Sequence, residues 1–246
     1  MTTPRVTAII PARLGSRRFS GKVLYQYRGK PLLYYVWKEA SRSKLIDRLA
    51  IATDSSEIAS VASSFGAEVV RTSKKHRTGS DRVAEAAGKI GGDIVMNIQG
   101  DNFGLRSAVL SSAIRKFRAD RSDHFATLAH PIDTDTDLFD PNVVKIAVAS
   151  DGYALWFSRF PIPYLQDVDG NHRVKQFRFL KHIGIYFFRK TGLADYSNWK
   201  RGQFEKMESL EQLRIVENHG KIRVYRTQAR TVSLDTPGDL KRIEHL

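Results

Sequence analysis

From residue 6 onward, short apolar runs alternate with segments of helical periodicity, and this alternation narrows the possible folds more than any other feature. Val6 to Pro11 reads as a buried strand, Leu32 to Ser43 as a helix, Arg48 to Thr53 as a strand and Ser56 to Phe65 as a helix. Glu68 to Thr72 continues as a strand, Ser80 to Gly88 as a helix and Asp93 to Gln99 as a strand. Strands separated by helix-length connections do not pair as hairpins, so this order predicts an α/β fold with a mostly parallel sheet flanked by helices.

The second half is less regular. Strands are expected over Ala126 to Pro131, Val143 to Ala149, Ile183 to Arg189 and Ile222 to Thr227, with a helix over Ser209 to Glu217. Phe157 to Lys181, which contains Pro161 and Pro163, reads as an excursion from the sheet; with its flanks, about residues 151–182 form a smaller lobe of one domain spanning 1–246. With 246 residues and 41% hydrophobic content, the chain can bury a sizeable core. It has no cysteine, which excludes disulfides, a thiolate nucleophile and a cysteine-based zinc site. Met1 to Arg5 leads into an apolar stretch, Val6 to Ile10, too short for a signal-peptide core, and no run of about 20 apolar residues occurs. A cytoplasmic protein without a membrane partner is expected.

The formal net charge of +14 points to anionic partners. The basic residues are scattered, with local groups at Lys74-Lys75-His76-Arg77 and Arg173 to Lys181, and no nucleic-acid module surrounds them. Anionic small substrates and a solvated basic surface therefore account for the charge better than nucleic acid does.

In parallel sheets, ligands collect at the carboxyl ends of strands. Three such ends carry polar residues: Pro11-Ala12-Arg13, Thr53-Asp54 and Gln99-Gly100-Asp101. The loop Pro11 to Lys22 has two glycines and the cations Arg13, Arg17, Arg18 and Lys22, a set suited to a triphosphate and equally compatible with a solvated basic turn. Its spacing matches neither the Walker nor the dinucleotide pattern. Asp101 suits a hard cation such as magnesium, or a turn, and Asp235 is a candidate partner that also reads as a helix start. Thr78-Gly79-Ser80-Asp81-Arg82 opens a helix and offers donors to a base, ribose or phosphate, with Ser80 or Asp81 as the expected N-cap. His182 and Tyr186 share one face of a strand, and Glu211 is expected on a solvated helix face.

Taken in order, these segments resemble the 3-deoxy-manno-octulosonate cytidylyltransferases, from about Val6 to Ile243. The resemblance rests on Pro11 to Lys22, Thr53-Asp54, Thr78 to Arg82 and Gln99 to Asp101. It continues through Asp140 to Lys145, Phe157 to Pro163, His182 to Tyr186, Ser209 to Arg214 and Asp235-Thr236-Pro237. It implies a Rossmann-like sheet with a substrate-side and dimerisation lobe, a homodimer, and transfer of CMP from CTP to 3-deoxy-manno-octulosonate (Kdo) for lipopolysaccharide biosynthesis. In that reading Lys22, Arg13, Asp101 and Asp235 are catalytic, and Asp101 and Asp235 bind Mg2+. Ala12, Arg13, Arg17, Lys22, Thr78, Gly79, Ser80, Asp81 and Arg82 hold the nucleotide; Gln99, Arg159, His182, Tyr186, Glu211 and Gln212 line the sugar-acid pocket.

The chain departs from the family pattern in places. Phe19-Ser20-Gly21-Lys22-Val23-Leu24 lacks the two usual prolines, which implies a more mobile loop, and Arg17-Arg18 is more basic than usual. Asp101-Asn102-Phe103 replaces Asp-Glu-Pro, which implies an altered acceptor such as 8-amino-Kdo, or weaker metal binding. A homologue that binds nucleotide sugar or nucleic acid without turnover is a further alternative.

Overall fold

The computed structural model describes residues 3–15, 21–166, 168, 172–229, 231–234 and 238. Arg17, Arg18, the Phe19-Ser20 part of the first loop and Asp235 lie outside them. The chain opens with β1 (Val6–Ala12), followed by a short ladder of β2 (Gln26–Tyr27) and β3 (Lys30–Pro31), then α1 (Leu32–Ser41). β4 (Arg48–Thr53), α2 (Ser56–Ser64), β5 (Glu68–Arg71), α3 (Gly79–Ile90) and β6 (Ile94–Ile98) complete the regular alternation. β4, β1 and β6 are parallel neighbours, with β5 beside β4.

Every residue of β1 is buried, as a strand covered on both faces must be. Its alternation sends Val6, Ala8 and Ile10 into one core with Leu33, Val36 and Ala40 of α1 and Ile58 and Ala62 of α2. Ile9 points the other way, into a second core with Val83, Ala86 and Ala87 of α3. The sheet is thus the middle of three layers.

Next come β7 (Asn102–Phe103), α4 (Ser107–Ala119), β8 (Phe125–Pro131), α5 (Asp135–Phe139), β9 (Lys145–Val148) and β10 (Ala154–Ser158). After α6 (Arg173–Gln176), the long strand β11 (Leu180–Arg189) runs antiparallel to both β6 and β8. α7 (Lys190–Asn198), α8 (Gln203–Glu208), α9 (Leu213–Glu217), β12 (Ile222–Arg226) and β13 (Val232–Ser233) follow. β12 pairs with β8, and β13 returns to β7. Among the described residues, no helix is long and apolar enough to cross a membrane.

Three expectations are corrected. The helix over Ser209 to Glu217 is instead the end of one helix and the start of another: Ser209 takes a left-handed conformation at φ 53°, and helix resumes only at Leu213. The excursion is narrower than Phe157 to Lys181, because Phe157–Ser158 belongs to β10 and Leu180–Lys181 to β11. Helices α4 and α7, unassigned in the sequence reading, cover the sheet: α4 packs Leu110, Ala113, Ile114 and Phe117 on one face, and α7 packs Leu193 and Tyr196 on the other.

The break at Ser209 is locked by charge. Arg214 donates from Nε and Nη2 to the Glu205 carboxylate, each at 2.8 Å, and from Nη1 to Asp81 at 2.7 Å, with its guanidinium 4.3 Å from the Tyr196 ring centre. Glu205 is 0% exposed. Removing Arg214 leaves this carboxylate to Arg201 alone, whose Nε donates to Oε1 at 2.9 Å, and takes the cation from Asp81, a loss of about 3 kcal/mol. Arg214→Met is therefore expected to lower the unfolding free energy by about that amount, read as a fall in the midpoint of urea denaturation at unchanged m; a change under about 1 kcal/mol would show that the junction is not structural.

Candidate active site

The carboxyl ends of β1 and β6 open onto a cavity of about 1110 Å³ lined by Pro11, Ala12, Arg13, Lys22, Thr78, Gly79, Arg82, Gln99, Asp101, Asn142, Arg159 and Glu211. Lys74, Lys75, Arg77, Arg201 and Lys206 line it too, so cations far outnumber carboxylates. Such a concave, one-signed surface concentrates anions.

Beside the end of β1, Gly21 takes φ 68° and donates its N–H to Leu14 O at 3.0 Å, closing the loop that begins at Arg13. The close delivers Lys22 into the cavity, where its ammonium contacts the Asp101 carboxylate and donates to Leu234 O at 3.1 Å. The β7–β13 ladder brings Leu234 there, and Leu234 N donates to Asp101 O at 3.3 Å. Asp235 follows Leu234 in the chain and lies outside the described residues, as does Arg17. Arg13 reaches Arg77 O at 3.3 Å.

At the start of α3 the N-cap is Thr78, whose hydroxyl accepts from Asp81 N at 3.1 Å, rather than Ser80 or Asp81. The reason is spatial. Gly79 sits so close to β1 and β6 that a Cβ there would lie 2.9 Å from Gln99 Nε2 and 3.2 Å from Pro11 Cγ, which makes Gly79 and Ser80 the first turn. Ser80 N donates to Glu211 Oε2 at 2.7 Å, and Gln99 Nε2 donates to Glu211 Oε1 at 2.7 Å. Glu211 is thus a half-buried acceptor at the cavity wall rather than a solvated helix position; burial raises its pKa while the hydrogen bonds from Ser80 pull it down. A bare helix N-terminus is what stabilises a carboxylate there.

Asp81 and Arg82 are spent on structure. Burial pushes the Asp81 carboxyl up, but the hydrogen bonds from Arg214 and Thr78 hold it below the usual range. Arg82 pairs with Asp54 at 2.7 Å and donates to Thr72 Oγ1 at 2.5 Å, presenting only part of itself to the cavity.

The residues expected around a sugar acid divide into two tiers. Gln99, Arg159 and Glu211 line the cavity. His182, Tyr186 and Gln212 stand buried behind it, with His182 Nε2 2.9 Å from Thr127 Oγ1 and Tyr186 OH donating to Gln212 Oε1 at 3.0 Å. Gln212 Nε2 has no acceptor among the described residues. Asn102 is buried and donates to Gly184 O at 2.9 Å, so its amide serves β11 rather than the cavity wall. Asn142 falls in the Asp140 to Lys145 motif, whereas Arg201, Glu205 and Lys206, which also line the cavity, were not singled out by sequence; charged residues in and just before a short helix have no motif to mark them.

Burial holds the His182 imidazole neutral, pushed down to about 3. An unfolded histidine titrates near 6.5, so between about pH 6.5 and 3 the unfolded chain binds the extra proton and stability falls as pH falls. His182→Gln removes this dependence: the wild type should lose up to about 1.4 kcal/mol more per pH unit than the variant between pH 6 and 4, measured by denaturant melts. Parallel pH profiles for the two proteins would refute the buried neutral histidine.

Residues 7–222 match the family model described as Cytidylyltransferase. The 3-deoxy-manno-octulosonate cytidylyltransferase of Geobacter sulfurreducens is 39% identical over 243 residues, 97% of either chain, and that of Pelobacter propionicus is 39% identical over 240 residues, 96% of this chain and 94% of the other. Among solved structures, CMP:2-keto-3-deoxy-manno-octonic acid synthetase complexed with CTP superposes with a TM-score of 0.88 at 33% identity, covering 98% of this chain and 97% of that one. The inositol-1-phosphate CTP transferase of T. maritima, at 16% identity and a TM-score of 0.66, shares the fold. Matched in sequence and in three dimensions along nearly its whole length, the chain belongs to the 3-deoxy-manno-octulosonate cytidylyltransferases.

Proposed function

We propose that this chain transfers CMP from CTP to the anomeric hydroxyl of Kdo and releases pyrophosphate. One observation carries the reading: Lys22 and Asp101 are in contact at the carboxyl ends of β1 and β6, in one cationic cavity that Arg13, Gln99, Arg159 and Glu211 also line. The hydroxyl oxygen forms a bond to the α-phosphorus as the bond to the pyrophosphate oxygen breaks. Arg13 and Lys22, with Arg17, neutralise charge that grows on the phosphates and leaving group. Ala12, Thr78 and Gly79 seat the cytidine with the exposed part of Arg82, and Ser80 and Asp81 hold that turn in place through Glu211 and Arg214. Gln99, Arg159 and Glu211 hold the sugar acid, with Arg159 facing its carboxylate, and His182, Tyr186 and Gln212 back that wall.

The site suits a magnesium ion. Asp101 is an oxygen donor with a side chain 22% exposed, and together with Leu234 O it already surrounds a cation, the Lys22 ammonium. Asp101 and Asp235 would hold the metal, which when bound offsets phosphate charge.

We also read the chain as one nucleotidyltransferase domain whose lobe, about residues 151–182, forms a homodimer, and we place the enzyme in the cytoplasm, where CTP is made. Phe160 and Tyr164 of that lobe are exposed at 73% and 78%, with Phe139 and Phe177 also open to solvent. Phe160→Glu should shift the sedimentation profile toward monomer; an unchanged profile counts against this surface.

Pyrophosphate release from CTP and magnesium, run side by side with Kdo and 8-amino-Kdo, tests the reaction. Kdo turnover is expected to exceed that of the amino analogue; no release with either acid would overturn the enzymatic reading, as would tight CTP binding without turnover. Asp101→Ala and Asp235→Ala should each cut kcat by about 10²–10³-fold, and a mild loss in both would refute the metal assignment.

A further inference from the structure

Lys145 opens β9 and is 0% exposed. Its ammonium donates to Asp140 O at 2.8 Å and to Arg159 O at 2.7 Å. These two carbonyls belong to separate segments of the chain that both reach the cavity lining, at Pro141–Asn142 and at Arg159. Asp140 starts the turn that carries Pro141 and Asn142, held by Asn142 N donating to Asp140 Oδ1 at 2.8 Å and by Val143 N donating to Asp140 O at 3.0 Å. Arg159 follows directly on β10, whose Ser158 pairs in register with Lys145.

The other half of the Arg159 backbone is held from the opposite side. Glu208 Oε2 accepts from Arg159 N at 3.0 Å, Oε1 accepts from Ser158 Oγ at 2.8 Å, and the Glu208 carbonyl accepts from Arg159 Nε at 2.8 Å. Arg159 Nη1 closes the frame on Pro141 O at 2.8 Å. The N–H and C=O of Arg159 are therefore both bound by charged side chains, one anionic and one cationic, before any substrate is present.

We propose that Lys145 is a positioning residue for the sugar acid: it staples the Pro141–Asn142 turn to Arg159 and so presets the guanidinium that receives the substrate carboxylate. The inference rests on the functional reading above, in which Arg159 faces that carboxylate. Packing alone does not account for a lysine here. Burial, with Arg159 adding to it and Asp140 and Glu208 opposing, pushes the Lys145 pKa down to about 8, so the charged form is costly at neutral pH. A methionine fills the same volume without that cost, but it takes the lysine donor from Arg159 O and leaves Asp140 O to Val143 N. Fixing an arginine before binding is how a site avoids the ordering entropy at the moment of capture.

The test uses Lys145→Met, Arg159→Met and the double variant in the full chain. With Kdo, CTP and magnesium, Lys145→Met should raise KM for Kdo at least tenfold while KM for CTP stays within twofold. In the Arg159→Met background the same change should alter KM for Kdo less than threefold, because the residue it acts through is gone. Equal rises in both KM values, or an undiminished effect in the Arg159→Met background, would overturn the proposal. Hydrogen exchange without substrate supplies an independent readout: the amides of Asn142 and Arg159 should both exchange at least tenfold faster in Lys145→Met, with Ser80 N unchanged, and unaltered exchange at Arg159 also overturns it. If the wild type releases no pyrophosphate with Kdo, the functional reading fails by itself, and the exchange result still decides the staple. Should Lys145→Met not fold, Lys145→Gln, which keeps a donor in the same space, is measured the same way with a smaller expected rise in KM for Kdo.

Discussion

A buried junction of charges between α3 and the α8–α9 segment underlies the rest of the site. Arg214 binds Glu205 and Asp81 together, and next to it Glu211 accepts from Ser80 N and from Gln99. Two distant parts of the chain are joined there: residues 78–82, set by the parallel half of the sheet, and residues 205–214, set by the irregular half. Charges are costly to bury, and these are tolerated because each carboxylate is met by a cation or by the open N–H groups of a helix end. The same contacts form one wall of the cavity, so the interaction that docks the second half also shapes the space between Gln99 and Glu211.

The charge balance follows a similar logic. A net charge of +14 spread evenly would only make the chain soluble, but the fold gathers Arg13, Lys22, Lys74, Lys75 and Arg77 on one concave side. Lys74 and Lys75 come from the stretch between β5 and α3, which Glu85 secures by accepting from Ser73 N at 2.8 Å and by contacting His76. A triphosphate meets fixed cations in such a place, and a neutral sugar would find few reasons to enter.

The parallel half of the fold was legible because β1, β4 and β6 are buried on both faces, and such strands must be continuously apolar. α4 was equally legible in principle, with Leu110, Ala113, Ile114 and Phe117 at helical spacing, yet its charged outer face and lack of a motif left it unassigned. The break at Ser209 was not legible. Ser209 to Glu217 has an acceptable amphipathic pattern, and what stops the helix is the pull of Glu211 toward Ser80 and of Arg214 toward Asp81 in α3, a force that no local window contains. Likewise the Thr78 cap was displaced by expectation to Ser80 or Asp81, since only the contact of Gly79 with Gln99 and Pro11 decides where the first turn begins.

By itself the sequence determined the main strand and helix alternation from Val6 to Gln99, the strand-end positions of Arg13, Asp101 and Gln99, and the surplus of cations, because periodicity and residue chemistry are local properties. The tertiary structure alone decided which of those residues share a cavity. It turned Glu211 from a solvated helix position into a half-buried acceptor at the cavity wall, set His182, Tyr186 and Gln212 behind that wall, directed Asn102 to Gly184 O, and placed Lys145 between Asp140 O and Arg159 O. Those outcomes depend on pairings between residues far apart in the chain, 131 positions for Ser80 and Glu211, and on the cost of leaving a buried polar group without a partner.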